Sequence, residues 1–325
     1  KSGGTTAPDP QLGVDLSRLA DRYPQYAALQ NLAVEVNVLM NRTDDAVNIA
    51  VRAMQTFPTA AEPARLASAA FAASSRWSET LGASNQWRTR SADQTLAPDV
   101  MIGASYLGLG RPDDALRQIQ PYMEEAATDP DNYGAAIVIY ARSELAKNRP
   151  DNAQAKLWPF AKSSKRGMVA FLQIAGHEAP TDTGKQWLAM ARPELRNDLD
   201  LEYVYATAAV ELAARANDSG PVLTAIDELS HAVAAGNTDP VKLSLGYLSL
   251  GMLQENQSQV AQAEAAYRKA IELNPKCDPA CNNLAMILAR SGRLPEALNF
   301  ASQAVELAPK VAPYQDTLAF VLDKA

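Results

Sequence analysis

The residues in this 325-residue chain best suited to acid–base or metal chemistry are neighbouring acids: Asp44-Asp45, Asp113-Asp114, and Asp151 beside Asn152. Paired carboxylates can divide general-acid and general-base roles or hold a divalent cation. Each pair, however, falls in nearly the same phrase: Asn41-Arg42-Thr43-Asp44-Asp45-Ala46, Gly110-Arg111-Pro112-Asp113-Asp114-Ala115 and Asn148-Arg149-Pro150-Asp151-Asn152-Ala153, with Gly292-Arg293-Leu294-Pro295-Glu296-Ala297 as a fourth version. Gly or Asn closes one helix in a left-handed conformation, proline pre-sets the first turn of the next, and the acids face its positive end. The acids read as helix punctuation, not as catalytic pairs.

Other chemistry is sparse. His177 and His231 are far apart in sequence and lack the spacing of a metal site. Gly184-Lys185 fails as a phosphate loop, because Ala179 stands at the first required glycine and Gln186 replaces the magnesium-binding hydroxyl. Nucleophile-elbow and dinucleotide glycine patterns are missing. No catalytic, cofactor or metal residue is assigned, and the chain is read as non-enzymatic. Trp77 and Trp87 with Arg76, Arg88 and Arg90 could stack and pair with a single-stranded nucleic acid. A net charge of -7 and a pI near 5.0 argue against that, leaving these groups as the packing and rim of one helix pair.

The elements that would position any site are helices in a repeating pair. Tyr247, Leu250-Gly251, Ala263, Tyr267, Ala270 and Pro275 are followed thirty-four residues later by Cys281, Leu284-Ala285, Ala297, Ala301, Ala304 and Pro309. Gly251 and Ala285 allow the second helix of each pair to approach, Ala263 and Ala297 answer from that helix, and the prolines end it. Small residues on the second helices extend this ladder along the chain at Ala46, Thr80, Ala115, Ala153, Trp187, Ala225, Ala263 and Ala297, with spacings of 34, 35, 38, 34, 38, 38 and 34. The extra residues are expected in turns between repeats. A tryptophan at 187 would force its helices apart or mark an error of a residue or two in the phase.

This phrase resembles the tetratricopeptide repeat (TPR), a helix-turn-helix unit of that period, in its bacterial type. The resemblance implies an all-α fold: a right-handed superhelical solenoid of antiparallel helix pairs, about seven to eight repeats long. Residues 1–13 are expected to be a flexible leader and 14–24 an N-terminal capping or half-repeat helix. An N-terminal array over 25–197 follows, with an irregular unit at 168–197 that has a long loop from Gly176 to Asp182. A C-terminal array over 198–325 ends in a lone helix from Ala312, read either as a cap or, preferentially, as a sign that the protein continues.

Function follows from the same resemblance. First helices would line a concave face that binds a protein or peptide partner, and the phase assigns to it Val138, Arg142, Leu248, Met252, Glu255, Asn256, Asn282, Met286, Arg290, Asp316 and Phe320. Met and Phe offer adaptable apolar contact, Asn and Arg offer hydrogen bonds. The carboxylate clamp of some co-chaperone TPR domains is matched only at Asn283, so that specialised role is not assigned. Asn282-Asn283-Leu284-Ala285 and Asp316-Thr317-Leu318-Ala319 also resemble terminal repeats of bacterial TPR proteins linked to exopolysaccharide assembly and export. An alternative is therefore a recruiting or assembly segment of a larger cell-envelope protein, which would incline the localisation to the periplasm or envelope.

No apolar run approaches the roughly 20 residues that span a bilayer. Self-association through open terminal helices is a third reading. Cys277 and Cys281 are too few for a disulfide framework or structural zinc site; the reading is a local disulfide or a buried Cys281 beside an exposed Cys277.

Overall fold

The computed structural model describes residues 10–92, 95–195, 198–216, 240–309 and 311–324, together with 218, 220, 223 and 226. The described elements are helical, with no strand among them. Two compact units divide the chain, 1–163 and 164–325. The sequence reading divides the chain after 197, inside the second of these units. In chain order the first holds α1 (Pro10–Arg22), α2 (Ala27–Leu39), α3 (Thr43–Thr56), α4 (Ala61–Ala73), α5 (Trp77–Arg90), α6 (Leu96–Gly108), α7 (Pro112–Ile119), α8 (Met123–Thr128), α9 (Pro130–Ala146) and α10 (Pro150–Ser163). The second holds α11 (Lys165–His177), α12 (Thr181–Ala191), α13 (Leu199–Ala216), α14 (Pro240–Asn256), α15 (Val260–Leu273), α16 (Asp278–Arg290), α17 (Leu294–Leu307) and α18 (Ala312–Lys324). Of the expected leader, residues 10–13 are already helical; residues 1–9 and the expected anchor Ala225 lie outside the described residues.

Within each unit successive helices pack on one another, with α7 and α8 together standing as one broken second helix, and first helices of neighbouring pairs touch as well, as α2 does α4, α6 does α9 and α16 does α18. Each unit is thus a solenoid segment of antiparallel helix pairs. The turns inside pairs share one hydrogen-bond pattern. Asn41, Ser75, Gly110, Asn148, Ser258 and Gly292 all have φ between 56° and 78°. The N–H of the following residue returns to the carbonyl five residues back: Arg42 to Asn37 at 2.8 Å, Arg111 to Tyr106 at 2.8 Å, Arg293 to Leu288 at 2.9 Å. This Schellman closure uses up orphan carbonyls at the first helix's end. The next helix starts at once, because the same arginine's carbonyl accepts from the small anchor four residues on, as Arg42 does from Ala46 and Arg293 from Ala297.

In four of these turns the arginine after the left-handed residue holds the acid three residues on. Arg42 pairs with Asp45 at 2.6 Å, Arg76 with Glu79 at 2.9 Å, Arg111 with Asp114 at 2.5 Å and Arg293 with Glu296 at 2.8 Å. Glu264 and Glu296 are further bridged by Arg268 and Arg293 from neighbouring pairs, which joins α15 to α17. Burial works to raise the Glu264 carboxyl, but the two guanidiniums outweigh it and leave it below the ordinary carboxylate value.

Every described anchor is buried, Trp187 included at 1% exposure. Trp187 nevertheless does not occupy the anchor position. The hydrogen bond that marks the anchor elsewhere is made by Gly184, whose N–H donates to the Pro180 carbonyl at 2.7 Å. The expected phase is therefore out by three residues. A Cβ on Gly184 would strike the Ala175 carbonyl, so this unit keeps a close approach while Trp187, nearly one turn later, stacks on Phe171 with ring centroids 5.1 Å apart. Its expected long loop shrinks to residues 178–180, with Gly176 and Thr181 both helical.

The extra residues also sit elsewhere than expected. First helices α2, α4, α6 and α16 have 13 residues, whereas α9 and α14 have 17. Four added residues are about one helical turn, so the insertion lengthens a helix and largely preserves which face meets its partner. A turn insertion would leave the helices unchanged.

The pair interface is volume-matched. Gly251 lies against Tyr267, where a Cβ would come within 2.5 Å of Cε1. In the next repeat the corresponding residues are Ala285 and Ala301, both fully buried. Gly251→Ala is expected to cost about 1–3 kcal/mol through overpacking. In a Tyr267→Ala background, itself destabilised by about 3–5 kcal/mol, the same change should cost nothing or stabilise, because alanine is the better helix former. Urea unfolding of the four proteins measures the cycle, and an equal cost of Gly251→Ala in both backgrounds would refute the matching. Ala297→Leu at the fully buried anchor should likewise cost about 1–3 kcal/mol, against under about 0.5 kcal/mol for exposed Asn299→Ala on the same helix. Gln303 is not a suitable silent control, since its amide donates to the Pro275 carbonyl at 3.1 Å.

Candidate functional site

The first helices of the second unit carry most of the expected partner-facing residues. On α14, Leu250 and Gly251 point to the second helix and are buried, which leaves Met252 on another face, 49% exposed. Asn256 is exposed and Glu255 half-buried one turn further on. On α16, Leu284 and Ala285 are buried, Asn282 and Met286 are half-buried and Arg290 is exposed. On α18, Asp316 is exposed, and Phe320 is half-buried against the core with the Lys324 ammonium 5.7 Å from its ring centroid.

Leu248 departs from the expected set. It is only 9% exposed and belongs to the core cluster with Ala263, Tyr267 and Leu284. Its outer edge walls a cleft of about 290 Å³ between α13 and α14, together with Thr207, Glu211, Lys242 and Ser249. Val138 and Arg142 lie half-buried on α9 in the first unit, apart from the others in the chain's division.

Glu255 and Arg290 are brought together, and they engage each other: an Arg290 Nη1 donates to Glu255 Oε1 at 3.4 Å. The other carboxylate oxygen accepts from the Tyr267 hydroxyl at 3.0 Å. Asn283 donates to that hydroxyl at 3.4 Å, and Asn282 donates to the Asn283 side-chain oxygen at 3.3 Å. A polar chain thus runs from α16 through α15 to α14. Burial, then the Glu255 charge, pushes the Tyr267 phenol well above its ordinary value, so it remains a donor. At the end of this chain the Asn282 side-chain oxygen is buried without a hydrogen-bond partner, and so is that of Gln254. The Arg290–Glu255 pair bounds a cleft of about 380 Å³ whose other walls include Ser258, Val260, Ile287 and Ser291.

Sequence spacing missed Tyr267 as a polar group because its place in the repeat pattern masks a second use, and it marked Asn283 only as a match to a carboxylate-clamp position. The twelve-residue separation of Glu255 and Tyr267 across a helix turn was the available signal. Asn283, matched to a carboxylate-clamp position, is occupied by Tyr267.

The remaining chemistry-bearing residues are held within the scaffold. Arg88 reaches Asp99 at 3.2 Å, Arg90 reaches Gln86 at 2.7 Å and Arg76 lies over the Phe71 ring at 4.9 Å. The Trp77 ring fills the space where a Cβ on Gly108 would stand. His177 is largely exposed, with Glu211 3.9 Å away; His231 lies outside the described residues. Lys185 pairs with Asp218 at 2.7 Å. Among the described residues no group of three or more His, Cys, Asp or Glu could hold a metal ion, and no helix is long and apolar enough to cross a membrane.

Cys277 and Cys281 are free thiols, and both are buried, so Cys277 is not the exposed thiol expected. Burial, with Cys277 and Asp278 adding to it, pushes the Cys281 thiol up to about 11. Its folded value lies above the ordinary 9.0, so the stability gained by keeping it neutral is complete below about pH 9 and lost as pH rises towards 11. Unfolding measured from pH 8 to 11 should show this fall in the parent and a shallower one in Cys281→Ala. Parallel profiles would remove the thiol as the cause. An aromatic disulfide reagent at pH 8 should label the two cysteines slowly in the native protein and fully after unfolding.

Among the solved structures that this chain resembles are two of low sequence identity. The first is a chain of the APC/C hetero-tetramer Cut9-Hcn1, at 14% identity over 98% of this chain and 60% of that one, with a TM-score of 0.39. The chain therefore spans 60% of the length of that relative. The second is the TPR2AB domain of yeast Sti1 in its pHSP90 complex, at 11% identity over 81% of this chain and 98% of that one, with a TM-score of 0.31. No curated protein matches the chain. The tetratricopeptide repeat family profile matches residues 256–319, the stretch holding most of the doubled phrase and the polar chain ending at Asn282. Residues 256–319 match the tetratricopeptide repeat profile, and the turns they contain at Ser258 and Gly292 recur at Asn41, Ser75, Gly110 and Asn148 in the first unit.

Proposed function

We propose that this chain is a non-enzymatic scaffold that holds a peptide segment of a protein partner along the first helices of its second unit. One observation carries the reading: the Asn282 side-chain oxygen is buried and lacks a donor on a face that also carries Met286 and, one repeat earlier, exposed Met252. A buried acceptor left unpaired costs about 1–3 kcal/mol, and a peptide N–H laid beside it would recover that while the thioethers take up apolar side chains. The Arg290–Glu255 pair, largely exposed on the arginine side, is worth no more than about 1 kcal/mol. It can open at little cost for a partner carboxylate.

The engagement of Asp45, Glu79, Asp114 and Glu296 by turn arginines supports a structural over a catalytic role for these acids. Random peptides displayed on phage and panned on the protein supply the test, with the enriched binders measured by fluorescence anisotropy. The double variant Met286→Glu/Arg290→Glu should weaken them by about tenfold or more. Binders unaffected by the double variant would place recognition elsewhere.

A further inference from the structure

The first unit holds an apolar cleft of its own. Three local breaks in the repeat converge on it. Helix α9 runs a full turn longer than α2, α4 and α6 and begins at Pro130. The preceding second helix is interrupted by a 3-10 turn at Gln120–Tyr122, containing Pro121, and resumes as α8. Helix α10 carries Pro159 in its interior. Between α8, α9 and α10 these leave a cleft of about 240 Å³, floored by Met123, Ala126, Ile137 and Phe160, all at least nine-tenths buried.

Two polar features stand at its edge. Pro159 has no N–H to give the carbonyl four residues earlier, and that carbonyl belongs to Ala155, which lines the cleft. Lys156 is the only charged residue among the lining side chains, is exposed, and has no ion-pair partner among the described residues. Several other basic side chains of the unit are paired or stacked: Arg65 with Glu35 and Glu62, Lys147 with Asp113, Lys162 over Trp158. The floor is apolar, one backbone acceptor is short of its donor and one cation is unpaired.

Size decides what fits. Small-molecule sites occupy roughly 300–1,000 Å³, so a cleft of about 240 Å³ is undersized for a cofactor or metabolite but takes one large apolar side chain. We infer that this cleft is an anchor site for a protein partner: it receives a single Leu- or Phe-sized side chain, its peptide N–H donates to the Ala155 carbonyl, and an adjacent Asp or Glu pairs with Lys156. Such an anchor carries more of the binding energy than the surface round it.

Methyl NMR of the full chain provides the test, reading Met123 and Ile137 during titration with the capped tripeptides acetyl-Gly-Leu-Asp-amide and acetyl-Gly-Leu-Lys-amide, and with hexanoate. The acidic peptide should shift both methyls saturably and the basic peptide at least about tenfold more weakly. Ala127→Trp, which fills the mouth from an exposed position, should abolish the shifts, and Lys156→Glu should reverse the preference between the two peptides. Thermal unfolding followed by circular dichroism verifies that both variants keep their fold. Silent methyls, equal response to the two peptides, or saturation by hexanoate alone would each overturn the proposal. An unaltered response in folded Ala127→Trp would do the same.

Discussion

The closeness of two helix axes at one point in each pair governs what the rest of the chain can be. At that point the first helix presents a residue twelve positions before the anchor, and the second helix presents one four positions after it. The pairs are Val34 with Ala50, Ser68 with Ser84, Gly103 with Ile119, Ala141 with Leu157, Gly251 with Tyr267 and Ala285 with Ala301, and all are buried. No residue type is required at either position. The constraint is that at least one of the two is small: glycine meets tyrosine or isoleucine, alanine meets leucine, valine or alanine, and serine meets serine. Close packing of interiors explains why two large residues are not set against each other at this point. The irregular unit follows the same rule by another route. Leu172 and Leu188 are both large and buried there, and the close approach passes to Gly184 and to Gly176, where a Cβ would come within 2.6 Å of the Ala208 backbone.

The turn that brings the helices to this point is equally economical. A left-handed residue costs a non-glycine side chain some conformational energy, yet Asn41, Ser75, Asn148 and Ser258 accept it. The closure satisfies backbone groups that would otherwise be orphaned at a helix end, and the arginine beyond the turn then holds the first-turn acid of the next helix. One short phrase therefore ends a helix, reverses the chain and starts the next. Asp45, Glu79, Asp114 and Glu296 are engaged by that arginine.

Much of this was legible in sequence because it is local. Turn phrases name their own backbone conformation, and the small anchors keep the ladder's period, so helix pairs and the buried set at Ala46, Ala115, Ala153, Ala263 and Ala297 could be read directly. Trp187 misled because size at one position was judged without its partner, and the small residue had moved three positions to Gly184. The location of the inserted residues was hidden because turns usually take up insertions, whereas a four-residue helical insertion leaves the apolar pattern almost in phase. The candidate site was legible in outline only. A face can be assigned from periodicity, but whether Leu248 stays on that face or sinks into the core depends on Ala263, Tyr267 and Leu284, which it meets only once α15 and α16 are packed. The engagement of Glu255 by both Arg290 and Tyr267 likewise depends on two helices meeting.

These two classes of position explain where recognition can arise in such a chain. Residues under the volume constraint cannot serve a partner, because any change made for binding would be felt in the pair. Freedom remains on the outward faces of first helices and wherever the period is broken. The added turn of α9, the 3-10 interruption at Pro121 and the proline in α10 each deprive a short stretch of its usual neighbour, and together they open apolar surface without disturbing a single buried anchor. On α14 a comparable added turn contributes Lys242 to the cleft beside α13. Regular repeats thus set the frame, and their lengthened members supply the places where one repeat differs usefully from the next.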